Sequence, residues 1–464
     1  MKKFIFTLSI IFCIGGCFRS VAQISNATSQ RLDMVFDSLC LKYTLKGASA
    51  AILVPNTGTW TRAYGESYAG APIRKDMLMG IGSNTKTFVA SLMLKLQEMK
   101  KLSLDDTIGK WVINKKNIRG QITIRQLLNH TSGIFSFTEH PHFFDSVNAD
   151  PFRIWQKEEL YGFVNAQYFT PGKGWRYSNT NYVLAGIIIE KVMNKPIETL
   201  LQEMIFTPQG LTNTFYFPQQ APSLEIAHQW SKSINNTSLI DLATIGWSNN
   251  AMFSMASSAG AIMQTAEDNA KFWDKLLSSK IINQSSLNEM MTYADIGGGD
   301  GYGLGIFRYT KNVGINDRTF YSHGGTNIGF INENMVDSTS RICFSILTNQ
   351  DDISNDDLLA VFISALQKVT IDMSTGIENI VYNERAIRVY PNPATNELYV
   401  DMEHLTRKMF INFYDISGKL VLSEEAFGNK THISTELLGG GFYYFKLTSP
   451  EGLLITTQKI QIIR

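Results

Sequence analysis

A serine and a lysine stand one helical turn apart at the start of a long amphipathic segment. Ser83 begins the only S-x-x-K string in the sequence, and Lys86 follows three positions later, so a helix places both side chains on one face. A serine hydroxyl attacks a carbonyl carbon once a base takes its proton, and a lysine in a dry site can be that base. The pair predicts nucleophilic catalysis. A helix cap beside a solvated lysine is the alternative interpretation.

The amino end of that helix adds two electrostatic features to the predicted nucleophile. Its partial positive charge disfavours the ammonium form of Lys86. It also leaves the backbone N–H of Ser83 free to stabilise an oxyanion. Gly80 and Gly82 precede the serine and allow another chain segment to approach its backbone closely.

A tyrosine and an asparagine form a second motif, at residues 177–179, directly after the turn residues 171–174. The phenol of Tyr177 can share a proton network with the serine and lysine and can deliver a proton to a leaving group. The amide of Asn179 can hydrogen-bond both the lysine and a substrate amide. An interfacial tyrosine ahead of a helix N-cap is the alternative interpretation.

A third motif, His323-Gly324-Gly325-Thr326, ends a strand pattern late in the chain. A strand edge beside a pocket can pair with an extended substrate, and the glycines leave room for it. The backbone N–H of Thr326 is the predicted second oxyanion donor. His323 is expected to carry a proton or to orient the substrate, and a turn histidine with satisfied hydrogen bonds is the alternative.

Taken together and in this order, the three motifs resemble the serine β-lactamase-related family. That family includes class C β-lactamases, D-alanyl-D-alanine carboxypeptidases, esterases and D-aminopeptidases. Residues 127–134, 259–273 and 301–305 are similar to the family as well, and the resemblance covers residues 30–368. It implies acylation of Ser83 and proton transfer shared by Lys86 and Tyr177. It also implies that Asn179 positions the acyl side chain and that the backbones of Ser83 and Thr326 form an oxyanion hole.

One position departs from the β-lactamase branch of this family. His323 stands where the β-lactamases usually carry a lysine, and a histidine there is more typical of the peptidase and esterase branches. This departure argues against efficient antibiotic hydrolysis. The expected substrates are small D-amino-acid peptides, β-lactams or short esters, in a pocket whose predicted walls include Phe135, Phe137 and Trp247.

Hydrophobic periodicity predicts the elements that hold these motifs. Helical patterns cover residues 26–46 and 83–101, and two β-like runs flanking residues 55–58 predict a hairpin. Further helical patterns lie at 123–130, 152–165, 180–193, 197–205 and 265–278, followed by strand patterns at 303–310, 318–323, 328–336 and 341–348 and a helix at 356–369. The prediction is an α+β (α/β) fold of the β-lactamase/transpeptidase-like type. One antiparallel sheet made from both chain ends is flanked by helices, with an inserted helical subdomain.

The chain changes character after about residue 370. Short strand patterns separated by turn residues run from 387 to 463 and predict a small all-β sandwich. Residues 389–393, 413–419 and 441–444 resemble the sorting domain of type IX secretion, and a carbohydrate-binding or adhesive module is the alternative. The predicted organisation is a catalytic domain at 23–370, a linker at 371–386 and an Ig-like sorting domain at 387–464.

The first 22 residues have the pattern of a secretory signal peptide. Lys2 and Lys3 precede an apolar run at 4–14, and small residues at 20–22 offer a cleavage site. A lipoprotein signal with Cys17 as the lipidated residue is the alternative. With the sorting domain, this predicts a secreted or cell-surface protein that crosses the outer membrane, with the periplasm as a transit or alternative location.

Composition limits the partners of the mature protein. The 464 residues are 44% hydrophobic and 18% charged, with a formal net charge of +1, which is typical of a globular chain without a nucleic-acid surface. Cys40 and Cys343 remain after signal removal and are predicted to be buried free thiols. Because neither C-x-x-C nor H-E-x-x-H occurs, we expect no metal and no cofactor. The expected partners of this monomer are a small-molecule or peptide substrate and the type IX secretion machinery.

The predicted activity is a two-step acyl transfer, in which the serine forms an acyl-enzyme and water releases the acyl group. A penicillin-binding sensor that acylates without efficient turnover is the main alternative, because none of the motifs identifies a base for the deacylating water. A surface adhesion protein with a vestigial hydrolase domain is a third interpretation.

Overall fold

The structure is a computed structural model that describes residues 24–112, 115–232, 238–313, 316–374, 387–402, 409–428, 430–448 and 454–464. The predicted signal peptide and residues 375–386 of the predicted linker lie outside these ranges. The chain divides into two compact units, Met1–Thr370 and Ile371–Arg464.

Helices occur from the start to the end of the first unit. The α-helices are α1 Asn26–Lys42, α2 Thr85–Glu98, α3 Ile124–Leu128, α4 Phe143–Ala149, α5 Asn179–Met193, α6 Ile197–Leu201, α7 Asn249–Ala256, α8 Ala266–Leu277, α9 Gln284–Met290 and α10 Asn355–Ser374. Short 3-10 segments lie at Gly82–Asn84, Ile108–Lys110, Phe137–Glu139, Glu159–Phe163, Leu242–Ile245 and Ser257–Ala259, and a π-helical segment lies at Gln202–Phe206.

A large antiparallel sheet joins the two ends of the first unit. The strands are β1 Gly47–Val54, β2 Gly58–Tyr68, β3 Ala71–Pro72, β4 Met79–Gly80, β5 Thr214–Tyr216, β6 Trp230–Ser231, β7 Ile240–Asp241, β8 Ile262–Gln264, β9 Ala294–Gly297, β10 Asp300–Tyr302, β11 Phe307–Val313, β12 Asn316–Ser322, β13 Gly325–Asn327, β14 Phe330–Asp337 and β15 Cys343–Thr348. The main sheet has the order β3-β2-β1-β15-β14-β12-β11-β10-β9, and β13 pairs with β14. Two small sheets, β4-β8-β5 and β6-β7, complete the unit.

Both faces of the central strands are covered. Ala50 of β1 belongs to one core with Phe36 of α1 and Phe362 of α10, whereas Ala51 belongs to the opposite core with Phe272 of α8. Because successive residues of a strand point to opposite faces, a strand covered on both sides needs a continuous apolar run. The sequence of β1, with small and aliphatic residues throughout, meets this requirement.

Most predicted elements of this unit are confirmed. The hairpin is present, with Val54 paired to Gly58 next to its turn. The helix predicted over 152–165 is wrong, because the structure has only a 3-10 segment at Glu159–Phe163. Trp155 and Phe163 instead pack around Phe143, with ring centroids 5.6 and 5.1 Å from it, so an irregular segment buries these side chains without a helix face.

The second unit is a small all-β sandwich, as predicted. Its strands are β16 Ile387–Tyr390, β17 Glu397–Met402, β18 Met409–Tyr414, β19 Leu420–Ala426, β20 Lys430–Ser434, β21 Gly441–Thr448 and β22 Leu454–Ile462. They form the sheets β16-β17-β20 and β19-β18-β21-β22, which share one apolar core. The sequence analysis did not predict β20, because Ile433 is its only buried residue.

Two further observations concern the described residues as a whole. None of their helices combines the length and the apolarity needed to cross a membrane. Cys40 and Cys343 are both buried and unpaired, as predicted.

Candidate active site

Ser83 lies in the single turn that leads into α2. Its 3-10 turn, Gly82–Asn84, continues into the helix, and Lys86 lies in the first helical turn with its side chain buried. The Lys86 Nζ atom lies 2.9 Å from Ser83 Oγ and 2.7 Å from the backbone oxygen of Ala259. Burial lowers the pKa of Lys86 well below its ordinary value. An amine that readily gives up its proton therefore faces the serine hydroxyl.

Tyr177 closes another side of this pair. Its ring lies over Lys86, with 4.9 Å between Nζ and the ring centroid. Its hydroxyl is buried and approaches the Ser83 side chain, without a hydrogen bond of regular geometry to any described residue. Burial raises the pKa of Tyr177, and the contact with Ser83 opposes part of that rise. At neutral pH the phenol keeps its proton and can donate it.

His323 follows β12 and is buried. Its Nδ1 lies 2.7 Å from the backbone oxygen of Gly324, which can only accept, so Nδ1 carries the proton. Its Nε2 then accepts from the hydroxyl of Tyr302 over 3.2 Å. Burial and the nearby Lys86 lower the pKa of His323 to about 3. His323 is therefore a neutral ring held at both nitrogens, an arrangement better suited to positioning than to delivering a proton.

A second buried histidine, His130, supports the Tyr177 ring and was not singled out by the sequence analysis. Its Nδ1 accepts from the backbone N–H of Ser178 over 3.2 Å, and burial lowers its pKa well below the ordinary value. Its ring centroid lies 4.3 Å from that of Tyr177 and 4.9 Å from that of Tyr302. Both His130 and Tyr302 belong to stretches that resembled the family, and that resemblance was the available signal.

Two glycines bring the first and third motifs into backbone contact. Gly82 has φ of 46°, and a Cβ atom there would lie 2.6 Å from the nitrogen of Thr326. A Cβ on Gly325 would lie 2.0 Å from the oxygen of Ile81 and 2.6 Å from the nitrogen of Ser83. Since real Cβ atoms do not come this close to a backbone, only glycine fits at either position. The backbones that carry the Ser83 and Thr326 N–H groups thus touch.

Asn179 begins α5 on the far side of Tyr177. Its Nδ2 donates to Thr138 Oγ1 over 3.0 Å, and its backbone N–H donates to Ser136 Oγ over 3.1 Å. The structure records no hydrogen bond from the described Asn179 side chain to Lys86, which the sequence analysis had considered. The residue as a whole is half-buried.

The three predicted pocket-wall residues do not share one environment. Phe137 is buried and packs edge-on against Phe143, with ring centroids 5.0 Å apart. Phe135 and Trp247 are half-buried at the border of the same core. The apolar core of the helical region needs Phe137 for packing, which hydrophobicity alone could not distinguish from a role in the pocket.

Across the ranges that the structure describes, no group of three or more His, Cys, Asp or Glu side chains could hold a metal ion.

The family assignment rests on both units of the chain. Residues 25–366 match the family model described as Beta-lactamase, and residues 388–463 match the one described as Secretion system C-terminal sorting domain. The chain therefore belongs to the Beta-lactamase family and carries a type IX secretion sorting domain. The predicted family and the predicted β-lactamase/transpeptidase-like fold are both confirmed.

Similar proteins include hydrolases and penicillin-binding proteins. Penicillin-binding protein 4* of Bacillus subtilis is 32% identical over 170 residues, which is 36% of each protein. Esterase EstB of Burkholderia gladioli is 30% identical over 39% of this chain and 50% of its own length. The match thus spans well under two thirds of these two curated relatives. The solved structure of a D-stereospecific amidohydrolase from Streptomyces sp. is 30% identical, with a TM-score of 0.62 over 72% of this chain and 98% of that one.

Proposed function

We propose that this protein is a secreted serine hydrolase that forms an acyl-enzyme on amide or ester substrates. The observation that carries the proposal is the 2.9 Å separation between Lys86 Nζ and Ser83 Oγ, at a lysine whose pKa burial has lowered. A solvated ammonium cannot take the serine proton, whereas a desolvated amine can.

Acylation begins when Ser83 Oγ attacks the carbonyl carbon and its proton passes to Lys86 Nζ. The carbonyl electron pair moves onto oxygen, and the backbone N–H groups of Ser83 and Thr326 stabilise the resulting oxyanion. When the tetrahedral intermediate collapses, the bond to the leaving nitrogen or oxygen breaks. Tyr177 supplies the proton to the leaving atom, and the proton on Lys86 returns to the phenol. The products are an ester of Ser83 and a free amine or alcohol.

Deacylation requires a base for the attacking water. Lys86 is the group we assign to it, because His323 is already hydrogen-bonded at both ring nitrogens. The same observation favours a second candidate function, a penicillin-binding sensor that acylates and then turns over slowly, since a single amine would have to serve both steps. Single-turnover kinetics separate the two, because a stable adduct without a steady state identifies the sensor.

The substrate class that we infer is small D-amino-acid amides or peptides, β-lactams and short esters. The similarity to an esterase and to a D-stereospecific amidohydrolase supports this range. His323 in the third motif favours peptides and esters over β-lactam antibiotics. Asn179, half-buried and held by Thr138, offers its amide to the acyl side chain.

The sorting domain indicates that the protein is secreted or exposed at the cell surface. Its implied partner is the type IX secretion machinery. We propose that residues 23–370 form the hydrolase, that 387–464 form the sorting domain, and that the mature protein is a monomer without nucleic-acid partners.

Covalent labelling tests the nucleophile and the base. A fluorophosphonate or fluorescent penicillin should label the wild type and should not label Ser83→Ala. Lys86→Met should lower the labelling rate by about 10²–10⁴-fold, as expected for loss of a general base. Ser91→Ala and Lys95→Met, on the same helix, are matched controls that should label normally, because Lys95 bonds to Ile281 away from the serine. Equal labelling of Ser83→Ala and wild type would refute the assignment of Ser83 as the nucleophile.

A further inference from the structure

Four buried asparagines form a chain of hydrogen bonds beneath the first and third motifs. Asn84, next to the nucleophile, donates through Nδ2 to Oδ1 of Asn269 over 2.8 Å. Asn269 donates in the same way to Asn334. Asn334 donates to Oδ1 of Asn332 over 3.0 Å. All four side chains are fully buried, so water does not compete for these bonds.

The direction of this chain is fixed by two backbone carbonyls at its far end. Asn332 Nδ2 donates to the oxygen of Gly325 over 2.9 Å, and Asn334 Nδ2 donates to the oxygen of His323 over 3.2 Å. Because a carbonyl oxygen only accepts, both amide nitrogens must face it, and both amide oxygens must face the other way. Asn269 can then only donate to Asn334 and accept from Asn84. The whole chain has one orientation.

The bond to Gly325 acts on the proposed oxyanion donor itself. The oxygen of Gly325 and the N–H of Thr326 belong to one planar peptide group and point in opposite directions. Holding that oxygen with Asn332 therefore aims the N–H of Thr326. An accepted hydrogen bond at the oxygen also polarises the peptide and strengthens its N–H as a donor.

The positions of the asparagines are unusual for a central strand. Asn332 and Asn334 lie on β14, which is buried along its length, and asparagine is depleted in strands. Burying an amide is costly unless its hydrogen bonds are made. Leucine has the same branched arrangement of four side-chain heavy atoms and carries no such requirement. A role in aiming polar groups accounts for the asparagines where packing alone does not.

We propose that Asn84, Asn269, Asn334 and Asn332 act as one positioning unit that holds the N–H of Thr326 in register with the N–H of Ser83. This inference rests on the proposed acylation of Ser83. The two N–H groups lie on different elements, β13 and the turn before α2. The hydrogen-bonded asparagines connect these two elements. Since the oxyanion develops only in the transition state, loosening the unit should slow acylation and leave ground-state binding unchanged.

A double-mutant cycle between the first and third asparagines of this hydrogen-bonded series tests the unit. Asn84→Leu and Asn334→Leu should each lower kinact for a fluorophosphonate probe about tenfold, with KI unchanged within about twofold, since one misaligned oxyanion donor costs less than the 10²–10³-fold of a missing one. The two side chains are linked by hydrogen bonds through Asn269. If they act as a unit, the double variant should be no slower than the slower single variant.

Asn349→Leu is the matched control for this cycle. Asn349 is buried and its Nδ2 also donates to backbone oxygens, those of Glu66 and His228 over 3.1 and 3.0 Å. Its substitution should lower the melting temperature as the others do, without changing kinact. Should Asn334→Leu fail to fold, Asn269→Leu takes its place in the cycle. Rates that multiply in the double variant, or a change confined to KI, would overturn the proposal.

A second readout separates this inference from the proposed function. The amide ¹H–¹⁵N resonance of Thr326 should shift in Asn84→Leu and stay in place in Asn349→Leu, because only the former breaks the chain. This measurement needs no catalysis. An unlabelled wild type would refute the proposed acylation, whereas an unmoved Thr326 resonance in Asn84→Leu would refute the positioning unit.

Discussion

No side chain fits between Gly325 and Ser83, since a Cβ atom on the glycine would lie 2.6 Å from the serine nitrogen. The contact is reciprocal, because a Cβ on Gly82 would lie 2.6 Å from the nitrogen of Thr326. The two N–H groups assigned to the oxyanion hole therefore sit on backbones that touch. This contact makes β13 part of the surroundings of Ser83 rather than an ordinary sheet edge.

Gly325→Ala should abolish most of the acylation rate while leaving a folded protein. The added methyl group must displace either the Ile81–Ser83 turn or β13, and each carries one proposed oxyanion donor. Loss of one such donor costs about 10²–10³-fold, and we expect a loss in that range, measured as kinact for the fluorophosphonate probe. Gly162→Ala is the control, because nothing lies within 4 Å of a Cβ at that position. Comparable rates for both variants would contradict the argument.

The first motif and its helix could be predicted from the sequence because their signals are local. Residue types at fixed spacing placed Ser83 and Lys86 on one helix face, and turn residues predicted the hairpin that precedes them. These features need no information about distant segments of the chain.

The rest of the site depends on long-range pairing that periodicity does not encode. Asn332 and Asn334 interrupt a strand that is buried throughout, but their partners Asn84 and Asn269 become neighbours only once α2, α8 and β14 pack together. Tyr302 lies beside His323 only because the sheet pairs β10 with β11 and β11 with β12. An asparagine inside an apolar strand was the one local signal available, and it gave no partner.

Tyr302→Phe should remove the hydrogen bond that holds Nε2 of the His323 ring. The phenol of Tyr302 donates to Nε2 of the neutral histidine, and this bond favours the neutral form, so its loss should raise the pKa of His323 above about 3, while burial and Lys86 still hold it below 6.5. The imidazole resonances of the variant should then titrate at a higher pH than those of the wild type. Tyr293→Phe is the control, because the Tyr293 hydroxyl has no hydrogen-bond partner in the described residues.

The stability of Tyr302→Phe should depend on pH with a defined sign. A depressed histidine pKa contributes stability above pH 6.5 that is lost as pH falls toward about 3. The variant loses one buried hydrogen bond, worth about 1 kcal/mol at pH 7. This difference in unfolding free energy between wild type and variant should shrink as the pH falls, because His323 protonates more easily in the variant. Thermal melts at several pH values measure it, and a deficit that grows toward acid would refute the assignment of the proton to Nδ1.

Relative to the wild type, Glu333→Gln should become more stabilising as the pH rises. The buried carboxyl of Glu333 lies 2.5 Å from Ser322 Oγ and accepts from Asn355 over 2.9 Å, and burial raises its pKa from 4.5 to about 7. A raised carboxyl pKa gives stability that is complete below pH 4.5 and is lost as the pH rises through about 7. The glutamine amide of the variant does not ionise, so the variant does not lose this stability as the pH rises.

The size and control of the Glu333 effect follow from the same shift. At about 1.4 kcal/mol per pKa unit, the difference in unfolding free energy between variant and wild type should change by roughly 3 kcal/mol between pH 4 and pH 8. Urea unfolding at fixed pH values measures it. Glu66→Gln, at a half-exposed carboxylate on β2, should show a much smaller change. A difference that does not vary with pH would mean that Glu333 is ionised throughout.

Thr138→Ala should weaken substrate binding without slowing the chemical step. Thr138 Oγ1 accepts from Asn179 Nδ2 and lies 3.0 Å from Ser136 Oγ, so it sets the direction of the amide proposed to contact the acyl side chain. Loss of one hydrogen bond worth about 1 kcal/mol should raise KM for a D-amino-acid amide about fivefold and leave kcat within about twofold. Thr138→Ser keeps the hydroxyl and should restore KM. A fall in kcat at constant KM would instead indicate that Asn179 acts through a hydrogen bond to Lys86, the other contact that its motif predicts.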